Sequence, residues 1–89
     1  MKLLTLFAVA TIAASSLSFA SAKCTAHPKA EWLKPADAQA KIEAMGYKIK
    51  KFKTSGECYE IYGHNKDGKK AEVYFDPKTL DIVKSEIDD

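Results

Sequence analysis

The chain reads as an α+β module: one helix packed on a three- to four-stranded antiparallel β-meander, preceded by a cleaved signal peptide. Three observations predict this. The first 22 residues have the grammar of an export leader. One short stretch, residues 35–45, carries apolar residues at helical spacing. Everything after Gly46 breaks into short, roughly alternating segments separated by turn residues.

The leader comes first. Lys2 supplies the positive start, residues 3–14 (LLTLFAVATIAA) form the apolar run, and Ala20-Ser21-Ala22 is an A-x-A cleavage site. The run is too short to span a hydrocarbon core of roughly 30 Å, so no membrane anchor is expected. Cleavage after Ala22 leaves 67 residues in a periplasmic or secreted compartment. Lipid attachment at Cys24 is not expected, because Lys23 stands where a small residue is needed.

A chain this short gains only ~3–5 kcal/mol from its core and needs a staple. Cys24 and Cys58 are the two cysteines, and an oxidising compartment makes a disulfide their first reading. A loop of 34 residues is worth ~3.5–4 kcal/mol in chain-entropy terms. Without Lys2 there are thirteen lysines against twelve carboxylates, and no arginine. Phosphate and base-edge recognition lean on the guanidinium fork, so a nucleic-acid role is disfavoured.

Residues 23–33 show no periodicity and read as an extended arm; residues 34–89 form the folded module. Pro35 suits the first helical position, Asp37 favours the dipole, and Gly46 suits the C-terminal cap. Ala38, Ile42 and Met45 share one narrow face, with Trp32 or Leu33 packing back onto the first turn. Four strands follow, at about 47–53, 58–64, 69–75 and 80–87. Ile49 and Phe52 differ in parity, which predicts a bulge. A three-residue loop, Lys66-Asp67-Gly68, sets Gly63 opposite Ala71, Ile61 opposite Val73 and Tyr59 opposite Phe75, all facing the helix. Cys58, Glu60, Tyr62, His64, Lys70, Glu72 and Tyr74 then face outward. Trp32, Tyr47, Phe52, Tyr59 and Phe75 read as core.

The run of Met45-Gly46-Tyr47, Gly56-Glu57-Cys58-Tyr59-Glu60-Ile61, Asp67-Gly68-Lys69 and Asp76-Pro77-Lys78-Thr79 resembles a PepSY-like domain of the small exported kind, over about residues 32–83. The resemblance implies a helix on an antiparallel sheet and no catalytic residues. It also implies a place among envelope proteins and peptidase propeptides, where inhibition or regulation of a peptidase is proposed. Such domains carry glycine where this chain has Leu80, which predicts a rearranged last turn.

Cys24, His27, Cys58 and His64 are a chemically adequate zinc set, but their spacing matches no standard finger and oxidation competes for the thiols. Both histidines therefore read as exposed polar residues, and no cofactor or metal is expected. Glu60 and Glu72 read as a solvated cross-strand network. No nucleophile–base spacing or phosphate loop appears. The expectation is a non-enzymatic envelope module that modulates a protein partner, a peptidase or a membrane sensor, through a surface of Tyr62, Tyr74 and His64. The alternative is a metal- or haem-handling accessory protein of the envelope.

Overall fold

The computed structural model describes residues 22–88. Apart from Ala22, the leader lies outside the described residues. Helix α1 (Pro35–Ala44) is followed by four strands: β1 (Lys48–Ser55), β2 (Cys58–His64), β3 (Lys70–Phe75) and β4 (Ile82–Asp88). They form one antiparallel sheet in the order β1-β2-β3-β4, with the helix on one face. The arm contains a single 3₁₀ turn, Lys29–Glu31, rather than being extended throughout.

Only Ala38 and Ile42 of α1 are buried. They sit four residues apart and so stack on one face. Between them they seal the core of Tyr59, Ile61, Ala71, Val73, Phe75 and Leu80, flanked by Trp32, Leu33, Tyr47, Ile49 and Phe52. Met45, the third residue of the expected stripe, caps the helix instead and is exposed. A ten-residue helix is marginal on its own, so this packing holds it.

The β2–β3 register is the expected one: Tyr59, Ile61 and Gly63 stand opposite Phe75, Val73 and Ala71. The Asn65 carbonyl accepts from Gly68 N–H, and its Oδ1 accepts from Asp67 and Lys69. This closes the three-residue loop, with Gly68 at φ 82°. The β1 bulge falls between Ile49 and Lys51, and β1 runs close to β2 beside it at Gly63. A Cβ on Gly63 would overlap the carbonyl oxygen of Lys48.

The last turn corrects the expectation drawn from Leu80. It keeps the tight geometry, and Leu80 itself takes φ 64°. That conformation costs a leucine roughly 1–2 kcal/mol. Leu80 is buried in the core, however, and burying a leucine is worth ~1.5–3 kcal/mol. Asp76 closes the turn: its carbonyl accepts from Leu80 N–H, and its own N–H donates to the Asp81 carbonyl. A second bulge lies in β4, between its pairings at Ile82 and Lys84.

Cys24 and Cys58 are disulfide-bonded, with Cα atoms 5.4 Å apart. Cys58 is on the face away from the helix, while Trp32 reaches the helix side and meets Tyr59 edge-on at 5.3 Å. The arm therefore wraps the rim of the sheet at the end of β3.

The two glycines should fail for different reasons. Gly68→Val should cost about 1–2 kcal/mol through backbone strain alone, since open space surrounds it. Gly63→Ala should cost about 2 kcal/mol or more through overlap with β1, despite the smaller side chain. Denaturant unfolding measures both. Reduction of the disulfide should lower the melting temperature by roughly 10 °C or more.

Candidate functional site

Strand alternation delivers six polar or aromatic side chains to the sheet face opposite the helix: Glu60, Tyr62 and His64 from β2, and Lys70, Glu72 and Tyr74 from β3. Lys51 and Lys53 join them from β1, opposite Tyr62 and Glu60. Lys84 and Glu86 join from β4, opposite Tyr74 and Glu72.

The two tyrosines do not share a fate. Tyr62 is 39% exposed. Lys51 Nζ and Lys53 Nζ lie 6.0 Å and 5.7 Å from its ring centre. Tyr74 is only 7% exposed, and its hydroxyl donates to Glu72 Oε2 at 3.1 Å. Tyr74 is thus part of the packing beneath the surface. His64 is half-buried near the loop end of β2, where Tyr62, Lys70, Glu72, Glu86 and Asp88 line a shallow groove with it.

Glu60 overturns the expectation of a solvated network. It is 2% exposed, and its Oε2 has no hydrogen-bond partner among the described residues. Lys53 Nζ approaches Oε1 only to 3.8 Å. Burial pushes the Glu60 carboxyl above the ordinary glutamate range, and the nearby Glu72 adds to that push. Glu72 moves the opposite way, lowered by its interaction with Glu60 and by the donating Tyr74 hydroxyl, which together outweigh its own burial. The two carboxyls are therefore pushed in opposite directions, Glu60 up and Glu72 down. The carboxylates in turn hold both phenols protonated. Tyr62 is pushed to about 12, first by its interaction with Glu60 and then by burial; Tyr74 is pushed up mainly by burial.

The four-residue zinc set is not brought together. Both sulfurs are in the disulfide, and His27 and His64 lie at opposite ends of the β2–β3 hairpin. His27 is not a free surface residue either. Its Nε2 lies 2.9 Å from Asp76 Oδ2. The Asp76 Oδ1 accepts from the N–H groups of Lys78 and Thr79 at 2.8 and 3.1 Å. The His27 carbonyl accepts from Trp32 Nε1 at 3.0 Å. Burial alone would raise the Asp76 carboxyl, but these donors outweigh it and hold Asp76 below its ordinary value. Sequence reasoning placed Asp76 in a turn and missed it as the arm's anchor. An aspartate two residues before a lysine in an Asp-Pro-x-Thr turn signals the backbone cap, but nothing local signals His27, 49 residues away.

On the helix side, α1 stops short of β4. Met45, Tyr47, Lys66, Ile82 and Ile87 line an open groove there, with Met45, Ile82 and Ile87 exposed.

A family model described as "Peptidase propeptide and YPEB domain" (PepSY_2) matches residues 3–86. No curated protein and no solved structure is detectably similar to the chain.

Asp76→Ala should cost about 2 kcal/mol or more at neutral pH, since it removes charge-assisted bonds to His27 and two backbone donors. The Asp76 carboxyl is depressed in the folded state, so its contribution is fully present above its ordinary value of 3.8 and fades as pH falls through the folded value. The stability gap between wild type and Asp76→Ala, followed by urea unfolding, should hold at pH 5 and above and close in stronger acid.

Proposed function

The chain belongs to the PepSY family of peptidase propeptide and YPEB domains, and from that premise we propose that it is a non-enzymatic envelope module that binds and modulates a protein partner, a peptidase or a membrane sensor, through the sheet face opposite the helix. The family supports a propeptide- or inhibitor-like module. The disulfide is consistent with an oxidising compartment outside the cytoplasm. No helix among the described residues is long and apolar enough to cross a membrane.

One observation carries the choice of surface. Tyr62 is the only exposed aromatic among the described residues, and it lies within about 6 Å of two lysines on a face where Glu60 and Tyr74 are buried. An aromatic ring with an apolar body and a polar tip is the residue type that anchors interfaces. Lys51 and Lys53 suit a partner that offers carboxylates around an apolar socket. The buried Glu60 and Tyr74 serve this face by holding it rigid, not by reaching the partner. His64 borders the same face and makes a peripheral contact. The chemistry of the site favours binding over turnover: the thiols are consumed in the disulfide, and His27 is committed to Asp76.

The test is affinity capture from the envelope fraction, followed by titration of the recovered partner. Tyr62→Ala should weaken binding by about tenfold or more while leaving the melting temperature nearly unchanged. Tyr74→Ala should instead lower stability, because its ring is buried and its hydroxyl serves Glu72. Undiminished affinity of Tyr62→Ala would move the contact to another face. Turnover abolished by Glu60→Gln would reject the non-enzymatic reading.

A further inference from the structure

The sheet order leaves β1 and β4 at the edges, and the two edges are built differently. β1 carries Lys48, Lys50, Lys51 and Lys53 and is kinked by its bulge. Lysines and bulges are what guard an edge against pairing, and two copies of β1 would repel each other. β4 is less guarded: it carries one lysine, Lys84, and its bulge lies at its first residues, between Ile82 and Lys84. Its stretch Val83-Lys84-Ser85-Glu86-Ile87 reads apolar, cation, serine, anion, apolar, so its charge changes sign about Ser85. Val83 and Ile87 are exposed, as is Ile82 beside them.

We propose that β4 pairs with β4 of a second copy of this chain, antiparallel about a two-fold axis through Ser85, joining two four-stranded sheets into one of eight. Directly opposed residues of antiparallel strands lie on the same face, 4.5–5.5 Å apart at Cβ in ordinary sheets, about the reach of a cross-strand pair. The axis through Ser85 sets Lys84 of each copy opposite Glu86 of the other, twice over by symmetry. Val83 stands opposite Ile87, also twice. Moving the axis to Lys84 sets two lysines face to face, and moving it to Glu86 sets two glutamates face to face at the centre while trading the Lys84–Glu86 pairs for Lys84–Asp88 pairs at the strand ends, so the charge pattern favours the axis at Ser85. Within one chain Lys84 Nζ lies 3.1 Å from Glu86 Oε2, so both groups already stand on the outer face, at the edge where the second copy arrives. The β4 bulge falls at Val83 itself, so the regular match runs over Lys84-Ser85-Glu86 and loosens where Val83 meets Ile87. A five-residue strand contact is small beside a standard interface, so the dimer is weak and dissociates on dilution. The same pairing places the two Ile87 residues at opposite ends of the seam, each beside the open groove lined by Met45 and Ile82 of its own copy. Tyr62, on β2, stays clear of the seam.

The experiment is sedimentation equilibrium with native mass spectrometry on the exported, disulfide-bonded protein, from micromolar to millimolar concentration. Wild type should move from monomer to dimer and stop there. Lys84→Glu makes one copy acidic at both charged positions of the seam, and Glu86→Lys makes the other basic at both. Each alone should dimerise at least roughly tenfold more weakly, because like charges are then opposed. An equimolar mixture of the two should form a dimer containing one of each. An effect confined to the ion pair within one chain could not be restored by mixing. A protein that stays monomeric to millimolar concentration, single variants that dimerise like wild type, or a mixture that fails to pair would each overturn the proposal. So would an assembly that grows beyond two copies, which would assign β4 to the basic β1 of the next molecule. Partner capture through Tyr62 is a separate readout and is unaffected by either result.

Discussion

Asp76 is the point on which the rest of the structure hangs. Its main chain bonds to Leu80 and Asp81, its Oδ1 caps the backbone of Lys78 and Thr79, and its Oδ2 holds His27. One side chain therefore closes the last turn and moors the arm. The closed turn drives Leu80 into the core at a left-handed φ and aims β4 back along β3. The moored arm brings Trp32 onto Tyr59 and Leu33 onto Pro77, where the Leu33 N–H donates to the Pro77 carbonyl. The Tyr59 hydroxyl returns a bond to the Leu33 carbonyl at 2.6 Å. A domain whose helix contributes two buried residues depends on such ties more than a larger one would.

The disulfide and the Asp76–His27 bond act at different points on the same arm. Cys24 is fastened to the outer face at the start of β2, with its sulfur 3.6 Å from the Phe75 carbonyl. His27 is fastened three residues later at the end of β3. Between them they leave the arm little freedom. The disulfide acts chiefly on the unfolded chain, by constraining its loop, whereas the Asp76–His27 hydrogen bond acts only in the folded state.

The outer face is a sheet surface with ionisable groups buried within it. Glu60 and Tyr74 are buried in it, and Glu60 carries an unpaired oxygen that a carboxylate tolerates poorly. Burial raises the Glu60 carboxyl toward its neutral form, which lowers that cost, and Glu60 and Glu72 together lie beneath Tyr62 on this face. A half-satisfied buried acid is a poor choice for stability alone, which is the kind of local conflict that proteins keep where a surface is used. The two edges divide the remaining surface: β1 is lysine-guarded, while β4 carries one lysine between exposed Val83 and Ile87 and two carboxylates, Glu86 and Asp88.

What the sequence determined by itself was local. Turn chemistry at Asn65–Gly68 and strand alternation were enough to place Tyr59, Ile61, Gly63, Ala71, Val73 and Phe75 on one face, because a one-residue slip would have mixed apolar with polar. The β1 bulge followed from a parity break between Ile49 and Phe52, and the pairing of Cys24 with Cys58 from there being only two cysteines. Alternation could assign Tyr62, Tyr74 and Glu60 to the outer face, but not how deeply each lies. Depth depends on what neighbouring strands and the arm lay over each position, and that is set by contacts far apart in the chain. The same holds for His27, whose partner is 49 residues distant, and for Leu80, where local propensity argued for a different turn. There the gain from burying a leucine in the shared core outweighed the backbone cost, a comparison that exists only once the helix, sheet and arm have come together.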